Sequence, residues 1–141
     1  MIKISTRGQY ALLIMTSLAE QDPNKYVPLK LLSHRHNLSV KYLEQILIQL
    51  SKAGMVDGLR GNNGGYKLNR KPEEYTAGEI FRATEGPLST HSVINGHSLS
   101  NAGNIEFWKG FDETINSYVN SVSLHQLVQK NLDDPGFEYC I

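Results

Sequence analysis

The run "VPLKLLSHRHNLSVKYLEQILIQLSKAGMV", residues 27–56, constrains the fold more than any other part of the chain. Pro28 suits the first position of a helix, and Leu29, Leu31 and Leu32 give that helix an apolar side through about residue 36. The triplet "NLS" interrupts it. Ser39 is placed to cap a second helix, with Leu38 stapling onto Leu43. In this second helix Val40, Leu43, Leu47 and Leu50 form one apolar stripe. Lys41, Gln45, Gln49 and Lys52 lie opposite, with Tyr42 and Glu44 flanking. Gly54 fits the left-handed position that ends a helix. Two helices joined by a three-to-four-residue turn outline a helix-turn-helix.

The next segment is rich in glycine. "GLRGNNGGYKLN", residues 58–69, holds four of the chain's twelve glycines. A phosphate-binding P-loop requires a lysine and a hydroxyl directly after its last glycine, opening a helix. Here Gly65 is followed by Tyr66, Lys67 and Leu68. The order is strand–turn–strand: Met55–Arg60 and Tyr66–Arg70 are predicted to pair around the tip. No strand–loop–helix unit surrounds the glycines, so a dinucleotide fingerprint fails as well. Upstream, "ISTRGQYALLIMTSLAEQD", residues 4–22, opens on a Ser-Thr capping pair and spaces Ala11, Ile14, Met15 and Leu18 as a helical stripe. Three helices and a hairpin predict a winged helix, mainly α with a small β wing.

Further along, "YTAGEIFRATEGP" carries a capping box (Thr76, Glu79), a staple (Tyr75, Ile80) and a Gly86-Pro87 stop. Residues 88–104 are small and polar and predict a long loop. Asn104 then caps a helix in which Ile105, Trp108, Phe111, Ile115, Val119 and Val122 recur every three or four residues. Ser123 caps a shorter helix to about residue 132, and "DDPGFEYCI", residues 133–141, is a tail.

Charge divides the chain. Residues 1–75 carry 11 Lys+Arg against 6 Asp+Glu, whereas residues 76–141 carry 3 against 8. A basic first half suits a polyanion. Phosphate contacts supply affinity and base-edge contacts supply sequence preference. On that reading Lys41, Tyr42, Glu44 and Gln45 enter a DNA major groove, where a glutamate accepts from cytosine and a glutamine pairs with adenine. Arg60, on a slim tip, suits the minor groove. The competing readings are a solvated helix face and an ordinary hairpin turn. A wing that binds protein instead of nucleic acid is a further alternative, told apart by the salt dependence of DNA binding. An enzyme reading fails for want of a constellation: there is no HExxH, no GxSxG and no cysteine paired with a base. The single cysteine, Cys140, forms no internal disulfide and points to a cytoplasmic protein.

The segments "ISTRGQYAL", "LSVKYLEQIL", "GLRGNNGGYKL" and "TAGEIFRATEGP" resemble, in order and spacing, the bacterial winged-helix repressor family of the IscR, NsrR and CymR type. The resemblance covers nearly the whole chain. It implies a homodimeric, DNA-binding transcription regulator on a palindromic operator, with residues 1–86 as the DNA-binding domain, 87–104 as a loop, 105–132 as dimerisation helices and 133–141 as a tail. It implies DNA contacts from Lys41, Tyr42, Glu44, Gln45 and Gln49 of the helix, and from Arg60, Gly64, Gly65 and Tyr66 of the wing. The helix bearing Ile105, Trp108, Phe111, Ile115, Val119 and Val122 looks like the family's dimerisation helix. Cluster-binding members carry three cysteines before that helix. Residues 86–104 here carry none, only His91 and His97, so no iron–sulfur cluster and no metal are expected. The chain is most similar to the cysteine-metabolism branch, whose regulators work with cysteine synthase (O-acetylserine thiol-lyase). That implies Tyr139, Cys140 and Ile141 as a partner-binding tail, since a terminal carboxylate suits a backbone nest. A tail folded back on its own dimer is the alternative, and so is a regulator of another regulon responsive to redox state or a small molecule, with Cys140 as the oxidisable thiol.

Overall fold

Six α-helices and one antiparallel hairpin make up residues 4–90 and 102–134, which the computed structural model describes. Helix α1 spans Thr6–Ala19 and starts at Ser5, whose hydroxyl accepts from the Gly8 amide at 3.3 Å. Its buried face carries Ala11, Ile14, Met15 and Leu18, as the spacing predicts. Helix α2 spans Leu29–His36. Pro28 is its N-cap and not its first residue, with an extended backbone at ψ 144. The reason lies one residue back: Val27 pairs with Tyr66 as an isolated β-bridge, which keeps the approach to α2 extended. The helix ends at Asn37, in the left-handed region at φ 54, ψ 46, a conformation that asparagine tolerates better than most residues.

Helix α3 spans Val40–Lys52, and Ser39 caps it by accepting from Tyr42 N at 3.1 Å. Leu43, Ile46, Leu47 and Leu50 are fully buried. Val40, expected in this stripe, is exposed instead, and Ile46 completes the buried face, where Leu43, Ile46, Leu47 and Leu50 follow the i, i+3, i+4, i+7 spacing of one helix side. Full burial of one such leucine contributes about 1.5–3 kcal/mol, and this row joins α1, Leu32, Val56 and Ile80 in one core.

Strands β1 (Val56–Leu59) and β2 (Gly65–Leu68) pair antiparallel, Val56 opposite Leu68 and Leu59 opposite Gly65. Both are shorter than expected. The chain past Leu68 turns away to serve Tyr75, which is fully buried between the hairpin and a 3₁₀ turn at Pro72–Glu74. The Tyr75 hydroxyl donates to the Met55 carbonyl at 2.7 Å and accepts from the amides of Asn69 (3.0 Å) and Arg70 (3.1 Å).

Helix α4 spans Ala77–Glu85 and is capped by Thr76, which accepts from Glu79 N at 3.1 Å. The expected capping box is half formed: the Glu79 carboxylate accepts from Arg70 at 2.7 Å rather than reaching back to the cap, since a guanidinium is the stronger partner. Helix α5 spans Ala102–Ser121. It begins inside the segment expected to be loop, so Asn104 lies within the helix and does not cap it; Ala102 is a strong helix former and extends the first turn. Helix α6 spans Leu124–Asp133 behind a complete capping box of Ser123 and Gln126. His91, His97 and the tail residues Tyr139, Cys140 and Ile141 lie outside the described residues.

The proposed dimerisation stripe divides in two. Val119 is 9% exposed and packs with Ala77 and Leu88, and Val122 joins that cluster. The α5–α6 link is stitched to α4 by Ala77 N donating to Val122 O (2.9 Å) and Leu124 N donating to Tyr75 O (3.1 Å). Ile115 is half-buried, whereas Ile105, Trp108 and Phe111 are exposed. Phe107, not anticipated, is 61% exposed and meets Trp108 edge to face at 5.0 Å; Trp108 meets Phe111 at 5.4 Å.

Candidate nucleic-acid interface

The wing is pinned along its second strand, one pair short of the tip. Val27 N donates to Tyr66 O at 2.7 Å and Tyr66 N donates to Val27 O at 3.0 Å, tying the α1–α2 link to β2 through a single bridge. Gly65 sits where this crossing is tightest. Its φ is +149, and a Cβ there would fall 2.0 Å from the Val27 carbonyl oxygen. A Cβ on Gly64 would fall 2.1 Å from the Leu59 carbonyl oxygen. Both glycines are therefore demanded by the fold of the wing, whatever they touch outside it.

Between wing and α3 lies an open cleft of about 680 Å³. Glu44, Ile48 and Ser51 line it from α3, Arg60 and Tyr66 from the wing, and Lys30 from the start of α2. Burial first, and the Glu44 carboxylate second, raise the Tyr66 phenol above its ordinary pKa, with Arg60 pulling it down. Tyr66 is thus neutral, half-buried and flanked by the two charges that sequence reasoning assigns to the two grooves.

On the outer face of α3, Lys41, Glu44 and Gln45 are exposed side by side with no core to fill. Tyr42 is half-buried and braced edge to face against Tyr10 of α1 at 6.0 Å. Gln49 behaves differently from its neighbours. Its amide nitrogen donates to the carbonyls of Ala83 (3.2 Å) and Thr84 (3.3 Å) at the end of α4, and its oxygen accepts from Arg7 Nη1 at 3.3 Å. Arg7 also donates through Nη2 to the Gln45 oxygen at 3.4 Å. Gln49 is therefore engaged within the fold, and Arg7 joins the exposed face. Sequence reasoning does not single out Arg7 for this. Its partners lie 38 and 42 residues away, and no local pattern announces such a contact.

The arrangement offers nucleic acid a helix face with mixed hydrogen-bonding groups beside a slender cationic tip. Among the described residues no three of His, Cys, Asp and Glu gather to hold a metal ion, and no helix is long and apolar enough to cross a membrane.

Comparison with known proteins gives this geometry relatives. The model of the Rrf2 family, described as iron-dependent transcriptional regulators, matches residues 4–130. The HTH-type transcriptional regulator CymR of Bacillus subtilis is 36% identical over 126 residues, 89% of each chain. The solved structure of CymR, the global cysteine regulator of B. subtilis, superposes with a TM-score of 0.83, covering 92% of this chain and 98% of that one. The structure of T. potens IscR, 30% identical, superposes at 0.78, covering 98% and 96%. The family description brings iron with it. Thiolates are the ligands that hold iron–sulfur clusters, and these 141 residues contain one cysteine. The residues present do not fit such a cluster.

Proposed function

The chain belongs to the Rrf2 family of transcriptional regulators, and on that premise we propose that it represses genes of cysteine and sulfur metabolism, binding a palindromic operator as a homodimer without an iron–sulfur cluster. The observation that carries the reading is the joint presentation of Lys41, Glu44 and Gln45 on α3 beside a wing tipped by Arg60. A recognition helix reads base edges in the major groove, and an arginine on a narrow protrusion seeks the negative potential of the minor groove. Tyr42 and Tyr66 support that surface from the core side. Likeness to CymR in sequence and in fold favours the cysteine regulon. The exposed Ile105, Phe107, Trp108 and Phe111 of α5 supply an apolar surface for a second copy. On this reading Tyr139, Cys140 and Ile141 are the segment that cysteine synthase captures.

Selection from random-sequence DNA, followed by fluorescence anisotropy across a salt series, tests the core of this. A two-fold-symmetric motif emerges, and log affinity falls with log salt at about −0.9 per phosphate contacted. Glu44→Ala alters base preference at one position, whereas Arg60→Ala weakens all sequences. Equal effects of both on every sequence refute the assignment of roles. Deleting Ile141 abolishes binding of cysteine synthase; unchanged affinity refutes the tail.

A further inference from the structure

We propose that Arg7 is a specificity-positioning residue: it holds the Gln45 amide oxygen inward, so that Gln45 offers only N–H donors to the major groove and reads guanine or thymine in preference to adenine. This rests on the DNA-binding reading above.

Donor and acceptor chemistry alone fixes the orientations. The carbonyls of Ala83 and Thr84 accept only, so the Gln49 side-chain nitrogen must face them, at 3.2 and 3.3 Å. Its oxygen then points to Arg7. A guanidinium carries five donors and no acceptor, so the group it meets on Gln45 must be the oxygen as well, at 3.4 Å. Each orientation fixes the next, from the end of α4 through Gln49 and Arg7 to an exposed side chain on α3. A free glutamine pairs with adenine by accepting from N6 and donating to N7. Here the oxygen is engaged, and a base amino group approaching it meets a cationic donor already in place. Among the described residues nothing accepts from the amide N–H groups. Guanine N7 and O6 and thymine O4 are acceptors that suit them. Sequence reasoning alone pairs Gln45 with adenine; the fold turns the amide the other way.

The test is random-sequence DNA selection by the full chain, with anisotropy measured on the selected site and its single-base variants. Gln45→Ala first identifies the position Gln45 reads, as the one that becomes degenerate. The wild-type protein shows guanine or thymine there. Arg7→Ala releases the amide and lets adenine in, lowering discrimination at that position about tenfold while the other positions hold. Gln49→Met, which touches the network from its buried end, does the same and stands in if Arg7→Ala fails to fold. Adenine at that position in the wild type overturns the inference. So does an unchanged motif in both variants. A uniform loss of affinity with a salt slope shallower by about one phosphate assigns Arg7 to the DNA backbone and overturns it too. A wild-type protein that selects no DNA refutes the DNA-binding reading itself, a separate result.

Discussion

Replacing Tyr75 with phenylalanine removes one oxygen atom and leaves the ring in place. That oxygen donates to Met55 O at 2.7 Å and accepts from Asn69 N and Arg70 N at 3.0 and 3.1 Å. Three backbone groups at the root of the wing lose a partner together. The side chain is 0% exposed, so water replaces the oxygen poorly. At about 0.5–1.5 kcal/mol for each bond, the expected cost is about 2–4 kcal/mol. Arg70, whose guanidinium lies 4.8 Å from the Tyr75 ring centroid and pairs with Glu79, keeps both contacts in the variant, so the loss isolates the hydroxyl. With a urea m-value of about 2 kcal/mol/M, the unfolding midpoint falls by about 1–2 M. The assay is urea denaturation followed by circular dichroism, at one protein concentration so that any self-association is held constant. A destabilisation below about 1 kcal/mol refutes the claim that this hydroxyl organises the wing root.

Single sites elsewhere give further expected outcomes. Gly65→Ala places a methyl 2.0 Å from the Val27 carbonyl oxygen at φ +149; it parts the Val27–Tyr66 bridge, costs about 3 kcal/mol and lowers the melting temperature by about 10 °C. Burial, and next to it Arg35, hold the His36 imidazole below its ordinary pKa of 6.5, while Ser17 Oγ lies 2.6 Å from Nε2. The unfolded chain binds that proton more readily than the folded one. The stability from neutral His36 is therefore present above pH 6.5 and is lost as pH falls below it. Urea midpoints at about pH 7.5 and 5.5 differ more for wild type than for His36→Gln. Trp108→Ala and Phe111→Ala leave the monomer fold intact, because both rings are exposed, and weaken self-association in sedimentation equilibrium by at least tenfold; an unchanged dimer removes α5 from the interface.

The parts of this fold legible in the sequence are those written in short-range chemistry. Ser5, Ser39, Thr76 and Ser123 cap the helices they precede, because a cap is decided within four residues. The wing is legible because its glycines and the helices before it leave few alternatives. Misses arise where distant groups decide. Val40 and Ile46 share the apolar character of α3, and only packing settles which is buried. Glu79 satisfies the spacing of a capping box, yet Arg70 arrives from the hairpin and claims its carboxylate. The period of α5 runs unbroken from Ile105 to Val122, but α4 covers only its far end. Arg7 gives no signal at all, since its meaning depends on α3 and α4 standing beside it.

The bridge between Val27 and Tyr66 has a mechanical consequence. A protrusion anchored only by its own two strands would swing like a hinged arm and adapt to grooves of differing width. Here any swing drags the residue that precedes α2, and with it the frame on which α3 rests. Within the chain the reach from helix to tip thus behaves as a stiff caliper. Accommodation to a mismatched target must then come from the nucleic acid yielding.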